Sequence, residues 1–198
     1  MAKLLLTQPK QDRSKASVKA IEDTVYRTVL DGGLKSMTTN SIADAAEVDI
    51  SVLYRYFACK ETLALHLLQK IVAELDEQNS KESRMVKGGK KSMWWKGKPL
   101  EKMIFVSLMR SYTPETVAFI QTYRKLAEDR IIKQLKSFGA KGRPSDWRIS
   151  IRFLANIQGG MLVEVSNTVG PKKSPTLQKR VVDAYEKTTA LIMGQYFE

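Results

Sequence analysis

The sequence TTNSIADAAEVDISVLYRYFACK, residues 38–60, decides the fold of the N-terminal third of this chain. It predicts a short helix that begins near Thr39, whose hydroxyl is expected to cap it, and a second that begins after Asp49. The small side chains of Ala43 and Ala46 allow two such helices to cross closely. This arrangement is typical of a helix-turn-helix, although helical hairpins with alanine at the crossing also occur in purely structural bundles.

A helix-turn-helix binds duplex DNA by placing the N-terminus of its second helix in the major groove. Ser51 has a hydroxyl for base edges, and Ile50 and Val52 suit thymine methyl groups. Tyrosine, arginine and lysine further along the segment are expected to contact phosphates, which supply most of the affinity. The predicted DNA-binding residues are Thr39, Asp49, Ile50, Ser51, Val52, Tyr54, Arg55, Tyr56 and Lys60.

Residues 14–75 resemble the TetR family of repressors. The matching positions are Gly33, Thr38-Thr39, Ile42-Ala43, Ala46, Val48, the run from Leu53 to Phe57, and Lys60-Glu61 followed by Leu63. The resemblance implies a regulator that binds a double-stranded DNA operator as a homodimer, with the last two helices of each chain forming the interface. It also implies a pocket between the middle helices, where an inducer changes the spacing of the two DNA-binding heads.

Two positions depart from the pattern of that family. Glu47 stands in the turn where the family usually has glycine, and Asp49 stands where it usually has serine. A left-handed backbone at Glu47 would cost about 1 kcal/mol, which predicts a slightly different turn. An acidic group near the DNA backbone repels phosphate, so Asp49 is expected to lower the affinity for DNA.

Outward from this segment, helical periodicity dominates and predicts an all-α protein. The first helix is expected over 14–31, and later helices begin near residues 60, 99, 114, 144 and 174. We therefore predict an N-terminal three-helix DNA-binding domain over 1–60. A helical-bundle domain for ligand binding and dimerisation follows over 61–198. The polar, basic stretch 79–99 is expected to be a linker or loop, with Trp94-Trp95 inside it, or to begin with the end of the fourth helix.

Composition restricts the class of protein. The chain has 198 residues and a net charge of +12, with 10 Lys and Arg against 11 Asp and Glu in residues 1–79 and 23 against 10 in residues 80–198. No apolar run approaches the roughly 20 residues that span a bilayer, and one cysteine suits a reducing compartment, so we expect a cytoplasmic protein without a membrane partner. No nucleophile motif, phosphate loop or metal-ligand spacing indicates an enzyme, and no cofactor is predicted.

The helices between residues 100 and 165 are apolar on more than one face, which suits either a bundle core or a hydrophobic ligand pocket. Six basic residues lie among these apolar positions: Arg110, Arg124, Lys125, Arg130, Arg148 and Arg152. The predicted ligand-binding residues are Met103, Phe105, Met109, Arg110, Tyr112, Phe119, Tyr123, Arg152, Phe153, Asn156 and Gly160. Basic groups beside an apolar interior favour a hydrophobic, anionic effector, for which acyl-coenzyme A is the leading hypothesis.

Two alternatives remain open at this point. A multidrug or other hydrophobic effector would fit an apolar pocket, but a cationic drug calls for carboxylates, and this region is short of them apart from Glu164. A different class of protein, a helical adaptor for protein–protein contacts, would use Trp94-Trp95 as an exposed aromatic anchor.

Overall fold

The computed structural model describes residues 5–32, 37–85, 100–110, 112–169 and 175–197. Within these ranges every regular element is a helix, which confirms the all-α prediction. The helices are α1 (Asp12–Leu30), α2 (Thr39–Ala45), α3 (Ile50–Tyr56), α4 (Lys60–Met85), α5 (Leu100–Met109), α6 (Pro114–Ser137), α7 (Pro144–Val169) and α8 (Pro175–Gly194). None of them, over the part described, combines the length and apolar character needed to cross a bilayer.

Helix termini follow local signals in the sequence. Thr113 caps α6 in a capping box with Thr116, and Pro114 occupies the first turn, where its missing N–H costs nothing. Gly32 follows α1 with φ 83°, a conformation that glycine adopts without strain. α4 continues to Met85 and so runs into the stretch 79–99, one of the two possibilities that the sequence left open. The rest of that stretch, with Trp94-Trp95, lies outside the described residues, as do Gly33 and the side chain of Glu164.

Two hydrophobic clusters hold the helices together. The larger joins the first three helices to α4 and α5, with Ile21, Leu53, Phe57 and Phe105 fully buried. Tyr26 on α1 stacks on Phe105 of α5 with ring centroids 5.2 Å apart. This core therefore runs across residue 60 without a break, and the division of the chain after that residue stays a prediction.

The smaller cluster packs one end of α6 against α7 and α8. Leu135, Trp147 and Met193 are buried there, and the Trp147 indole Nε1 donates to the Lys141 carbonyl oxygen at 2.9 Å. Each large apolar side chain that is buried in one of the two clusters contributes roughly 2 kcal/mol to the free energy of unfolding. The parts of α4–α7 between the clusters are left to line a cavity.

Candidate DNA-binding surface and effector cavity

Thr38, rather than Thr39, caps α2. Its hydroxyl oxygen accepts a hydrogen bond from the Ser41 amide at 3.1 Å, and the Ser41 hydroxyl oxygen accepts one from the Thr38 amide at 3.0 Å. The prediction that Thr39 caps the helix is wrong, because Thr39 is already the first helical residue. Its hydroxyl lies 3.1 Å from the Tyr54 hydroxyl instead, so this pair links α2 to α3.

The turn between α2 and α3 is tight and left-handed at one residue. Glu47 adopts φ 53°, and the amide of Val48 donates to the carbonyl oxygen of Ala43 at 3.0 Å. Ala43 and Ala46 are buried at the crossing, as their size predicts. The prediction of a slightly different turn is therefore wrong: Glu47 keeps the left-handed conformation that glycine favours, at a cost of roughly 1 kcal/mol.

The N-terminus of α3 is capped and faces solvent. The Asp49 carboxylate accepts a hydrogen bond from the Ser51 amide at 2.7 Å, and hydrogen bonds from the Ser51 side chain and backbone lower the pKa of Asp49. Ser51, Tyr54 and Arg55 are exposed, and their spacing of three and four residues places them on one face of the helix. This face carries a hydroxyl, a phenol and a guanidinium, the groups that bind base edges and phosphates.

Other residues that were predicted to contact DNA are partly or fully buried in the protein. Ile50 and Val52 are half-buried against the larger core, which leaves only part of each side chain for DNA. Tyr56 is 3% exposed, which corrects its assignment to a phosphate contact: it follows Leu53 by three residues and shares its buried face. Lys60 donates from Nζ to the Met37 carbonyl oxygen at 2.9 Å, so its ammonium ties the start of α4 to the chain before α2.

A cavity of about 870 Å³ lies between α4, α5, α6 and α7. Five predicted ligand-binding residues line it: Met103, Arg110, Tyr123, Arg152 and Asn156. All six basic residues singled out in the sequence also line it. Apolar contacts come from Leu75, Val106, Ile120, Ala127, Ile131, Ile151 and Ala155. The cavity thus has the size of a small-molecule site, with both an apolar surface and a basic one.

Six predicted residues lie outside the cavity lining: Phe105, Met109, Tyr112, Phe119, Phe153 and Gly160. Phe105 and Met109 are fully buried in the larger core, and Tyr112 and Phe119 pack against it. Phe153 is 54% exposed and Gly160 is exposed, because the cavity side of α7 carries other positions. The neighbouring Gly159 lines the cavity instead.

Carboxylates are more numerous in this region than the sequence indicated. Asp76 from α4 and Glu128 and Asp129 from α6 line the cavity. Arg130 pairs with Asp76 at 2.9 Å, and Arg152 pairs with the buried Glu128 at 3.0 Å. Arg148 bridges Glu128 at 3.1 Å and Asp129 at 2.8 Å. The expectation of few carboxylates is therefore wrong, but each of the three is held by arginine.

α4 connects the cavity to the DNA-binding end. At the cavity, the Tyr123 hydroxyl donates to Asp76 on α4 at 2.7 Å, and burial raises the pKa of Tyr123. Nearer the other end, His66 on α4 donates from Nε2 to the buried Glu22 of α1 at 2.9 Å, and Lys70 donates to the second oxygen of Glu22. Polar contacts therefore hold α4 both to α6 at the cavity and to α1 nearer the N-terminal helices.

Comparison with known proteins agrees with this arrangement. Residues 27–67, which span the end of α1 to the first part of α4, match the family model of bacterial regulatory proteins, tetR family. No curated protein matches the sequence.

Two solved structures share the fold at low sequence identity. One is a TetR-family transcriptional regulator from Streptomyces coelicolor, at 17% identity, with a TM-score of 0.54 and coverage of 91% of this chain and 99% of that chain. The other is the ketosteroid transcriptional regulator KstR2 of Mycobacterium tuberculosis, at 16% identity, with a TM-score of 0.53 and coverage of 94% and 96%. At these identities the likeness concerns the fold.

Proposed function

We propose that this chain, which carries a tetR-family N-terminal domain, is a transcriptional repressor that releases its DNA operator when a small molecule enters the cavity. The observation that carries the proposal is the capped, solvent-facing N-terminus of α3, with Ser51, Tyr54 and Arg55 on one exposed face. A short helix presented in this way fits the major groove, while α2 and its cap lie against the DNA backbone. Such a protein acts in the cytoplasm, where bacterial DNA is found.

A homodimer is the assembly that this function needs, because two heads read two half-sites of an operator. Ile149, Phe153 and Ile157 on α7 are spaced four residues apart and are 69%, 54% and 37% exposed, and Leu191 on α8 is 79% exposed. An apolar stripe of this kind on the last two helices suits a four-helix interface with a second copy. This role also explains why Phe153 lies away from the cavity.

Release is proposed to act through α4. A ligand that enters the cavity meets Asp76, which holds Arg130 and Tyr123 of α6. A ligand that displaces this contact frees α4 to shift, and Lys60 at the start of α4 is bonded to the chain just before α2. The position of each DNA-binding head thus depends on whether the cavity is occupied, provided that the ligand prefers one of the two positions.

The effector is proposed to be hydrophobic and anionic, and acyl-coenzyme A is the first candidate. The apolar part of the cavity suits an acyl chain, and the basic residues at the cavity suit phosphates. A cationic drug is disfavoured, since Asp76, Glu128 and Asp129 are already paired with arginine.

The test uses duplexes selected by the purified protein from a random DNA pool. Fluorescence anisotropy is expected to show salt-dependent binding, a roughly tenfold or greater loss with Arg55→Gln, and little change with Lys133→Gln, which removes an exposed charge from α6. Acyl-coenzyme A of several chain lengths is then added to the complex. Failure to enrich any duplex would contradict DNA binding, whereas a complex that no chain length dissociates would contradict this effector alone.

A further inference from the structure

The basic residues of the cavity fall into two groups. Arg130, Arg148 and Arg152 each pair with a cavity carboxylate, so their charges are balanced within the protein. Arg110, Arg124 and Lys125 also line the cavity, but none of them forms an ion pair with any residue in the described ranges. Lys125 is exposed to solvent, whereas Arg110 and Arg124 are partly buried, so these two guanidinium groups are where the cavity holds partly buried positive charge without an internal anion.

Arg110 is held in an unusual position. Its Nη1 atom is buried without a hydrogen-bond partner, although a guanidinium N–H that is removed from water normally finds an acceptor. A Cβ atom added at Gly159 would lie 2.4 Å from this Nη1, so the guanidinium rests directly on the α7 backbone where a side chain is missing. An unsatisfied donor on a charged group is costly, and an acceptor that this guanidinium reached in the cavity would remove that cost.

Arg124 on α6 lies close enough for the two charges to repel. Its polar contact is a hydrogen bond of 3.4 Å from Nη1 to the Asn156 amide oxygen, long for a guanidinium donor. Burial and the charge of Arg110 lower the pKa of Arg124, while Glu128 opposes this but is already engaged by two other arginines. Two like charges in a partly buried cavity favour an anion between them.

We propose that Arg110 and Arg124 clamp one carboxylate or phosphate group of the effector. Guanidinium groups bind both oxyanions with paired, charge-assisted hydrogen bonds. Met103, Val106, Ile120 and Ile151 line the same cavity, so the ligand class is an oxyanion with an apolar body. The role of this anion as an effector rests on the proposed function, but the binding of the anion to the cavity does not.

Calorimetric titration of the full chain tests the clamp with three probes of one chain length: decanoate, decyl phosphate and neutral decanamide. The wild type is expected to bind at least one anion roughly tenfold or more tightly than the amide, and comparison of the two anions identifies the oxyanion. Arg110→Gln and Arg124→Gln should each remove most of that preference. Lys133→Gln, which removes a charge from the same α6 outside the cavity, should leave it intact.

Gly159→Ala tests the position of the Arg110 guanidinium separately from its charge. It keeps both arginines, but the new methyl group must displace the Arg110 guanidinium, the far end of a flexible side chain. We expect it to weaken the anions about as much as Arg110→Gln does and to leave decanamide binding unchanged. Thermal unfolding of each variant without ligand confirms that it folds.

Equal binding of anions and amide by the wild type, or no binding of any probe, would overturn the clamp. An anion preference that survives both arginine substitutions would do the same. Anisotropy with selected DNA on the same samples reports on the proposed function separately. Tight anion binding that leaves the DNA complex intact would support the clamp and contradict release.

Discussion

Replacing Glu22 with glutamine is expected to weaken the contact between α1 and α4 by more than the removal of a surface charge would. The Glu22 side chain is 7% exposed, and its partners His66 and Lys70 are 20% and 46% exposed. Glu22→Gln removes a charge-assisted hydrogen bond to His66, which lowers the free energy of unfolding by about 2 kcal/mol. The contact with Lys70 adds little to this loss because solvent screens the exposed ammonium. For a domain of this size, that loss lowers Tm by roughly 4–8 °C.

The same substitution should change how stability depends on pH. Burial raises the pKa of Glu22, but hydrogen bonds from His66 and Lys70 and their charges outweigh burial and hold the pKa below its ordinary value of 4.5. The ionised carboxylate therefore stabilises the fold above pH 4.5, and this contribution is lost as the pH falls below 4.5 through the folded-state pKa. The wild type and Glu22→Gln should thus differ most near neutral pH and converge in acid.

Urea unfolding followed by circular dichroism at one protein concentration measures both effects. Asp23→Asn is the matched control, because it removes a charge from the next residue of α1, which is exposed. Equal stability of Glu22→Gln and Asp23→Asn at pH 7 would contradict this role of Glu22. A difference that stayed constant down to about pH 3 would also refute it.

Three further outcomes follow from single positions. Glu47→Gly should raise the free energy of unfolding by about 0.5 kcal/mol, because the strain relieved at the left-handed backbone exceeds the entropy that glycine adds to the unfolded chain. Glu47→Ala keeps Cβ and should not raise the free energy of unfolding. Thr113→Ala should lower it by about 1 kcal/mol through loss of the α6 cap, and a stability unchanged in urea would exclude that role. Phe153→Lys should shift the chain from dimer to monomer in analytical ultracentrifugation, whereas Leu126→Ser, at a similarly exposed position on α6, should not. A dimer that persists with Phe153→Lys would place the interface elsewhere.

The starts of α3 and α6 could be predicted from the sequence because local chemistry sets them. Thr113-Pro114 marks the start of α6, and Asp49 marks the start of α3. Both are short-range effects in which a side chain binds an amide two or three residues away or a ring fixes φ. Thr38 was missed as the cap of α2 because two adjacent threonines offer the same hydroxyl, and only the backbone conformation distinguishes them.

The lining of the cavity depends on contacts between distant parts of the chain. Periodicity marks α7 as apolar on more than one side, but it does not indicate that the stripe with Phe153 faces solvent while Gly159 faces the cavity. Asp76 comes from α4, 54 positions before Arg130 in the sequence, so no local pattern relates it to the arginine with which it pairs. The packing of Arg110 on Gly159 is likewise visible only in three dimensions.

The exposed face of α3 is proposed to enter the groove of duplex DNA, and site-specific photo-crosslinking can locate that contact at single residues. Ser51→p-benzoylphenylalanine places the probe on that face, and Lys133→p-benzoylphenylalanine places it on α6. With a selected duplex bound, irradiation should attach DNA covalently at position 51 and not at position 133. A bound complex that yields no adduct at position 51, or yields one at position 133, would contradict insertion of α3 into the groove.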